Sequence, residues 1–251
     1  MKKYLVLVAL LTAGVVQADQ LHWAHDVYTN ASTTAWTNPN SWYNNTANAI
    51  ATAKPVAADK LLIQEVVLGT QTPTTVFWPI VSTAETVTKV NMASSDAGIS
   101  GQLNLISGAN LTVTGDFWMG KGENTASTVN LSGNAVLDVG ILKHAINATA
   151  SSVINMSGTS LLKTGSAGDL GLGSKSITMD GGAVFQQFGD TSAFGWENNW
   201  ITAVGAGDSI GVNYNPGGNY TEYTVIPEPA TISMVALLGG GLLWIRKRFM
   251  I

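Results

Sequence analysis

The 251-residue chain contains no cysteine, which excludes a disulfide framework, a thiolate metal site and a thiol nucleophile. Charge is scarce too, with 11% of residues Asp, Glu, Lys or Arg. A composition so poor in Glu and Lys argues against coiled coils and helical bundles. Arginine is missing from residues 19–226, where 7 Lys face 15 acidic side chains for a formal charge of −8. That sign disfavours nucleic acid or an anionic membrane as a partner. What the chain has in quantity is Gly, 27 residues of it, with Ser, Thr and Asn throughout, a mixture that favours short strands and many turns. The mean hydropathy of +0.19 comes partly from two apolar ends, so those ends are read separately from the middle.

At the N-terminus Lys2 and Lys3 precede an apolar run, Tyr4 to Val16, and Val16-Gln17-Ala18 supplies small residues beside a cut. The run is shorter than the ~20 residues a spanning helix needs. The pattern predicts a secretory signal peptide over 1–18, cleaved between Ala18 and Asp19. At the other end Pro227-Glu228-Pro229 forbids regular helix and central strand. An apolar segment, Ile232 to Ile245, follows it and is closed by Arg246-Lys247-Arg248. A helix from Ala230 to Ile245 rises about 24 Å, below the ~30 Å hydrocarbon core, a shortfall that flanking residues and local thinning can cover. The basic triplet stays cytoplasmic by the positive-inside rule and acts as a stop-transfer signal. Together the two ends leave the middle outside the inner membrane.

These three ordered C-terminal features resemble the PEP-CTERM sorting domain of exported Gram-negative bacterial proteins, and the resemblance covers residues 226–251. It implies recognition by an exosortase-type membrane protease, with transient anchoring in the inner membrane until the helix is removed. Release or attachment at the surface then follows, typically in bacteria that make exopolysaccharide. Ile226 stands where Val is usual, and Phe249-Met250-Ile251 trail the basic cluster. Left uncut, the same segment reads as a plain membrane anchor.

The middle repeats itself. Val129-Asn130-Leu131-Ser132-Gly133-Asn134-Ala135-Val136-Leu137 returns as Ile154 to Leu162 and again as Ile177 to Phe185. Each copy begins roughly 25 residues after the last, within the range of a solenoid repeat. Apolar and polar positions alternate within each copy, the period of a strand with one buried face. An earlier copy at Ser107-Gly108 keeps the dipeptide but slips its alternation by one, which suggests a bulge there. Asp116-Phe117-Trp118-Met119-Gly120 recurs as Asp169-Leu170-Gly171-Leu172-Gly173, two repeats further on. Units this small cannot close a core alone and must stack. The expected fold is all-β, a parallel β-helix over residues 56–225. At ~25 residues per coil it has about seven coils, stacked at roughly 4.8 Å. Three inner columns are expected: Val129, Ile154 and Ile177; Leu131, Met156 and Met179; Leu137, Leu162 and Phe185. Asn130, Asn155 and Thr178 are expected to face solvent.

The open ends of such a stack need covers. Residues 19–55, with Trp23, Trp36, Trp42 and Tyr43, read as an N-terminal cap. Their tryptophan spacing ahead of Pro55 and Asp59 resembles the leading segment of autotransporter-like repeat proteins, and the Ser-Gly repeats resemble their passenger repeats. Phe185 to Tyr223 loses the repeat and gains Phe188, Phe194, Trp196 and Trp200, a closing cap. Pro216-Gly217-Gly218 is expected to begin a flexible exit towards the sorting peptide.

Pectin-degrading enzymes use this architecture, so the carboxylates matter. Lyases of that kind commonly need a calcium-binding carboxylate cluster and an Arg or Lys base, and the hydrolases need close Asp residues. Residues 19–226 hold no arginine, no Asp-Asp pair and no Asp-x-Asp step. Asp116 and Asp169, about two coils apart, would stand roughly 10 Å from each other, near the upper limit for inverting glycosidases. Both precede an apolar-x-apolar-Gly step, which marks strand-entry corners. His22, His25 and Asp26 have metal-pair spacing only if that segment is helical. His144 reads as a loop residue. Gly120-Lys121-Gly122 and Gly171-Leu172-Gly173 lack the full phosphate-binding patterns. Seven Asn-x-Ser/Thr triplets, among them Asn130 and Asn155, follow from composition. Trp36, Trp42, Tyr43, Trp196 and Trp200 either cap the solenoid or stack on sugar rings.

The sequence therefore reads first as an exported, acidic β-solenoid sorted to the cell surface or extracellular matrix in a structural or adhesive role. Its expected partners are an exosortase-type protease and extracellular polysaccharide, and no cofactor or metal is implied. The alternatives are a β-helix polysaccharide lyase or hydrolase and a carbohydrate-binding module that uses surface tryptophans.

Overall fold

The computed structural model describes residues 19–23, 35–64, 78–93, 98–166 and 171–228. The alternation seen in the repeats becomes strand wherever it is regular. β1 (Gln20–Trp23), β2 (Trp42–Asn44) and β3 (Ala49–Ile50) precede β4 (Lys60–Ile63), β5 (Ile80–Val81), β6 (Ala84–Val87) and β7 (Lys89–Met92). Four regular pairs follow: β8 (Ser100–Leu105) with β9 (Asn110–Met119), β10 (Ala126–Leu131) with β11 (Val136–His144), β12 (Ser151–Met156) with β13 (Leu161–Ser166), and β14 (Ser174–Met179) with β15 (Val184–Phe188). The chain closes through β16 (Ile201–Ala203), β17 (Ser209–Asn215) and β18 (Tyr220–Ile226).

Even-numbered strands from β8 to β16 stack in parallel with β5 as a narrow six-stranded sheet, and odd-numbered strands from β7 to β15 stack in parallel in a broad twelve-stranded one. This is a parallel β-solenoid of about five turns. The expected seven coils are too many because both ends leave the spiral. β1 and β4 extend the broad sheet, while among the described residues the narrow sheet is continued there only by the bridge of Ala35 to Ile80. At the other end β18 lies antiparallel on β15 instead of winding on.

The three expected columns are in register. Val129 faces Ile154, which faces Ile177; Leu131, Met156 and Met179 align likewise, as do Leu137, Leu162 and Phe185. All nine side chains are buried. Ser107-Gly108 holds no bulge. β8 and β10 pair at one constant offset, without a break, from Ser100–Ala126 to Leu105–Leu131, and the Ser-Gly step merely shifts by one within the turn. The bulge sits elsewhere, where Thr114-Gly115 of β9 opposes Gly140 of β11 and the offset between the strands shortens by one. At this corner a methyl on Gly140 would lie 2.6 Å from the Thr114 carbonyl oxygen, and one on Gly165 2.8 Å from that of Gly140, so the sheet bends only over glycine. The opposite corner is a turn in which Gly158 takes φ 72°.

Asn130, Asn155 and Thr178 lie on the outer face, half exposed rather than free in solvent. Asn130 Nδ2 donates to Asn104 Oδ1 (2.8 Å), Asn155 Nδ2 to Asn130 Oδ1 (2.8 Å), and Thr178 Oγ1 to Asn155 Oδ1 (2.7 Å). Such an amide ladder ties winding to winding outside the apolar core.

Aromatic caps close both ends. Trp42 is fully buried and sits edge-on to Trp23 and Trp36, each at 5.0 Å, with its Nε1 donating to the Trp36 carbonyl (2.9 Å). Lys54 of the cap reaches both carboxylate oxygens of the buried Glu85 at 2.9 Å. At the far end Tyr223 stacks on Phe185 at 5.4 Å and on Trp196 at 5.9 Å. Phe188 and Phe194, expected in this cap, are instead exposed. Pro216-Gly217-Gly218 is not a flexible exit: it makes the tight turn between β17 and β18. Among the described residues no helix is long and apolar enough to cross a membrane. The segments 1–18 and 229–251 lie outside them.

Met156→Asp buries a carboxylate among Leu131, Met179 and their neighbours and is expected to abolish the folded state, a cost of several kcal/mol. Asn155→Asp removes one ladder donor and is expected to cost about 1–2 kcal/mol. A urea melt of both variants checks the register: equal losses would refute it.

Candidate functional site: the outer face of the broad sheet

Beyond the glycine corner, β7, β9 and β11 continue side by side, and strand alternation divides their residues. Val90, Met92, Phe117, Met119, Leu142 and His144 point into the core. Lys89, Asn91, Asp116, Trp118 and Lys143 take the other face, with Asn91 and Lys143 flanking Trp118 in register. Lys121 joins them from the loop after β9.

Three ammonium groups converge on the one indole. Lys89 Nζ stands 3.7 Å from the Trp118 ring centroid, Lys121 Nζ 4.3 Å and Lys143 Nζ 4.8 Å. Asp116 Oδ2 lies 3.5 Å from Lys89 Nζ and 3.7 Å from Lys143 Nζ, ion pairs longer than a short hydrogen bond. Lys89, Lys143 and Asp116 side chains are each about a quarter exposed. The ring quadrupole and the carboxylate together offset the mutual repulsion of the cations, each cation–π contact by ~0.5–1 kcal/mol. Trp118 Nε1 and Asn91 Oδ1, on directly paired residues, are buried without a hydrogen-bond partner. Farther along the same sheet a cleft of about 310 Å³ is lined by Asp138, Lys163, Gln186, Phe188, Gly218 and Tyr220.

Asp116 comes immediately after the glycine corner within β9 and is also the partner of two lysines; Asp169 lies outside the described residues. His25 and Asp26 lie outside them too, and His22 sits in β1, where burial lowers its pKa. Among the described residues no group of three or more His, Asp or Glu could hold a metal ion. Trp36, Trp42, Trp196 and Trp200 are buried in the caps and offer no ring face to a sugar. Tyr43 is half-buried, its hydroxyl donating to Asn48 Oδ1. Of the sorting residues, Pro227 directly follows β18 and the Glu228 amide donates to Asp208 Oδ1 (3.0 Å); Ala18, Pro229, Arg246, Lys247 and Arg248 lie outside the described residues.

His144 is not a loop residue. It ends β11, fully buried, below Met119 and Met92 in one column and 5.9 Å from the Trp200 ring. Neither ring nitrogen has a hydrogen-bond partner. Burial, aided by the charge of Lys175, holds its pKa down to about 3.

The fold and this face define a parallel β-solenoid with a basic, aromatic-centred patch on an acidic body. No family model, curated protein or solved structure matches the chain. The lysine cluster escaped a linear reading because its members are scattered along the chain, although Lys143 lies one repeat beyond Trp118 and pairs with it directly.

The unfolded chain takes up the His144 proton near pH 6.5 and the folded chain only near 3, so this residue's contribution to stability is whole above 6.5 and is lost as pH falls below it. The expected slope between pH 6.5 and 5 is up to ~1.4 kcal/mol per unit. His144→Met extends the methionine column and is expected to flatten that slope in thermal melts; parallel slopes for variant and parent would overturn the assignment.

Proposed function

We propose that the protein is an exported scaffold of the cell surface or extracellular matrix, with a structural or adhesive role and no chemistry of its own. The observation that carries the reading is the seat of Asp19. Its backbone nitrogen lies 3.2 Å from Oδ1 of Asp59, a carboxylate only 3% exposed that also accepts the Val56 amide at 2.7 Å. The Asp19 carbonyl in turn accepts from Lys60, so the residue starts the first parallel pairing of the broad sheet. Cleavage after Ala18 would turn this amide into an ammonium group, placed directly on a buried carboxylate. A small cavity of about 80 Å³, lined by Asp19, Lys54 and Asp59 among others, adjoins the seat. Leader removal would then complete an ion pair at the cap, and the stable form of the solenoid would be the exported one.

The rest of the architecture suits a scaffold. Columns of apolar side chains and the outer amide ladder run through successive windings, and capped ends suppress end-to-end growth. The β18 strand leads straight into Pro227-Glu228, so a sorting protease acting there would work at the edge of the folded body. The exosortase-type protease and a transient inner-membrane anchor are the partners this reading requires.

Mass spectrometry of the surface fraction is expected to give Asp19 as the N-terminal residue, and Met1 retained at the surface would refute export by this route. Asp59→Asn is expected to destabilise the processed chain by about 1.5–3 kcal/mol more than the chain that keeps residues 1–18, since both lose the bonds from backbone amides but only the former also loses an ion pair with the new ammonium group.

A further inference from the structure

We infer that the Lys89–Lys121–Lys143 cluster around Trp118 is a binding site for a carboxylated polysaccharide. Three of the seven lysines of residues 19–226 meet on one ring, and with Asp116 the four charged groups sum to +2 within a body of −8. Fold stability does not call for this gathering. Like charges on adjacent strands oppose pairing, and a neutral outer residue at these positions would avoid the cost. Asp116 satisfies the cations incompletely, at 3.5 and 3.7 Å and with one carboxylate for three ammonium groups. A second carboxylate entering from solvent would complete the set through charge-assisted hydrogen bonds.

The surroundings choose among anions. Outside the cluster residues 19–226 carry a net charge of −10, so a polyanion as dense as DNA, with one charge per ~1.7 Å, would meet a body of its own sign wherever it runs past the patch. A chain of uronic acids carries one carboxylate per sugar and otherwise hydroxyls. Those hydroxyls suit the polar outer face nearby, where Thr112 is half-exposed and Thr114 exposed on β9. Trp118 acts here as a positioning residue, holding the ammonium groups together rather than stacking on the sugar, since its ring face is already occupied by them. The choice of a polysaccharide rests on the surface-scaffold reading; the presence of an anion site does not.

The test is calorimetry of the purified full chain in mild detergent with hexagalacturonate, against maltohexaose, inorganic phosphate and a twelve-nucleotide oligo(dT). Hexagalacturonate is expected to bind and to weaken with added salt, while maltohexaose gives no heat. Lys89→Gln and Lys143→Gln are expected to weaken binding at least tenfold with unchanged melting, and Lys175→Gln to leave it intact. Asp116→Asn is expected to tighten binding severalfold, because it removes the internal competitor; a purely structural ion pair would not do this. Unchanged affinity in Lys143→Gln, phosphate binding as tightly as the hexamer, or tighter binding of oligo(dT) would each overturn the proposal. A cytosolic protein that still binds hexagalacturonate would sink only the surface reading, and a surface protein that does not bind it would sink only this one.

Discussion

Everything in this structure depends on register between windings. Each backbone strand from β8 to β14 is hydrogen-bonded on both sides to the strand one turn away, so a residue's neighbours are set by the repeat and not by the chain. A side chain therefore succeeds or fails as a member of a column. Leu131, Met156 and Met179 fill one column with side chains of similar length, and Gly115, Gly140 and Gly165 hold the corner where a Cβ would strike the carbonyl of the turn before. Burying each apolar side chain in such a column stabilises by ~1.5–3 kcal/mol, so one misplaced polar group is felt by the windings on both sides.

The same constraint explains why the ends differ from the middle. A winding with no successor leaves strand edges and core open to water or to a second copy. Both ends of the broad sheet turn antiparallel, β2 and β3 at one end, β18 and β17 at the other, and large rings replace the aliphatic columns there. Trp42 and Tyr223, both fully buried, cover an area that no single Val or Leu could. The inner column that begins with Val87, Val113 and Val139 becomes polar as the cap approaches, passing to Thr164, Gln187 and Thr221, all buried. Thr164 donates to Gln187 and Thr221 to the Gly189 carbonyl, so the change of character is met with hydrogen bonds.

The central columns were legible because strand alternation and a fixed repeat are written directly in the order of residues. Val129, Ile154 and Ile177 identify themselves by spacing alone. Spacing misleads where it has to be judged across an insertion. Ser107-Gly108 aligned on Ser132-Gly133 suggests a bulge in the turn, whereas the extra residue is at Thr114-Gly115, inside a strand whose alternation hides it. His144 is hidden for a related reason: its neighbours Lys143 and Ala145 suggest a polar loop, and only Met119 in the winding before reveals an interior position. The number of turns is less legible, because sequence shows where a repeat recurs but not where a strand reverses direction, as β18 does on β15. The candidate site was the least legible part, since Lys89, Lys121 and Lys143 mean nothing until three windings are laid side by side.

Chemistry on a solenoid must accordingly be read vertically. Windings lie at ~4.8 Å, so outward side chains one repeat apart stand nearly in contact, and a charge on one meets the charge on the next. Most of this surface answers that crowding with neutral, mutually hydrogen-bonded residues, as in the ladder from Asn104 to Thr178. The Trp118 face answers it differently, with cations held over a ring and a single carboxylate between two of them. The ladder uses its hydrogen-bonding capacity internally and has little left for a partner. The lysine cluster, with one carboxylate for three ammonium groups, is left with donors in excess.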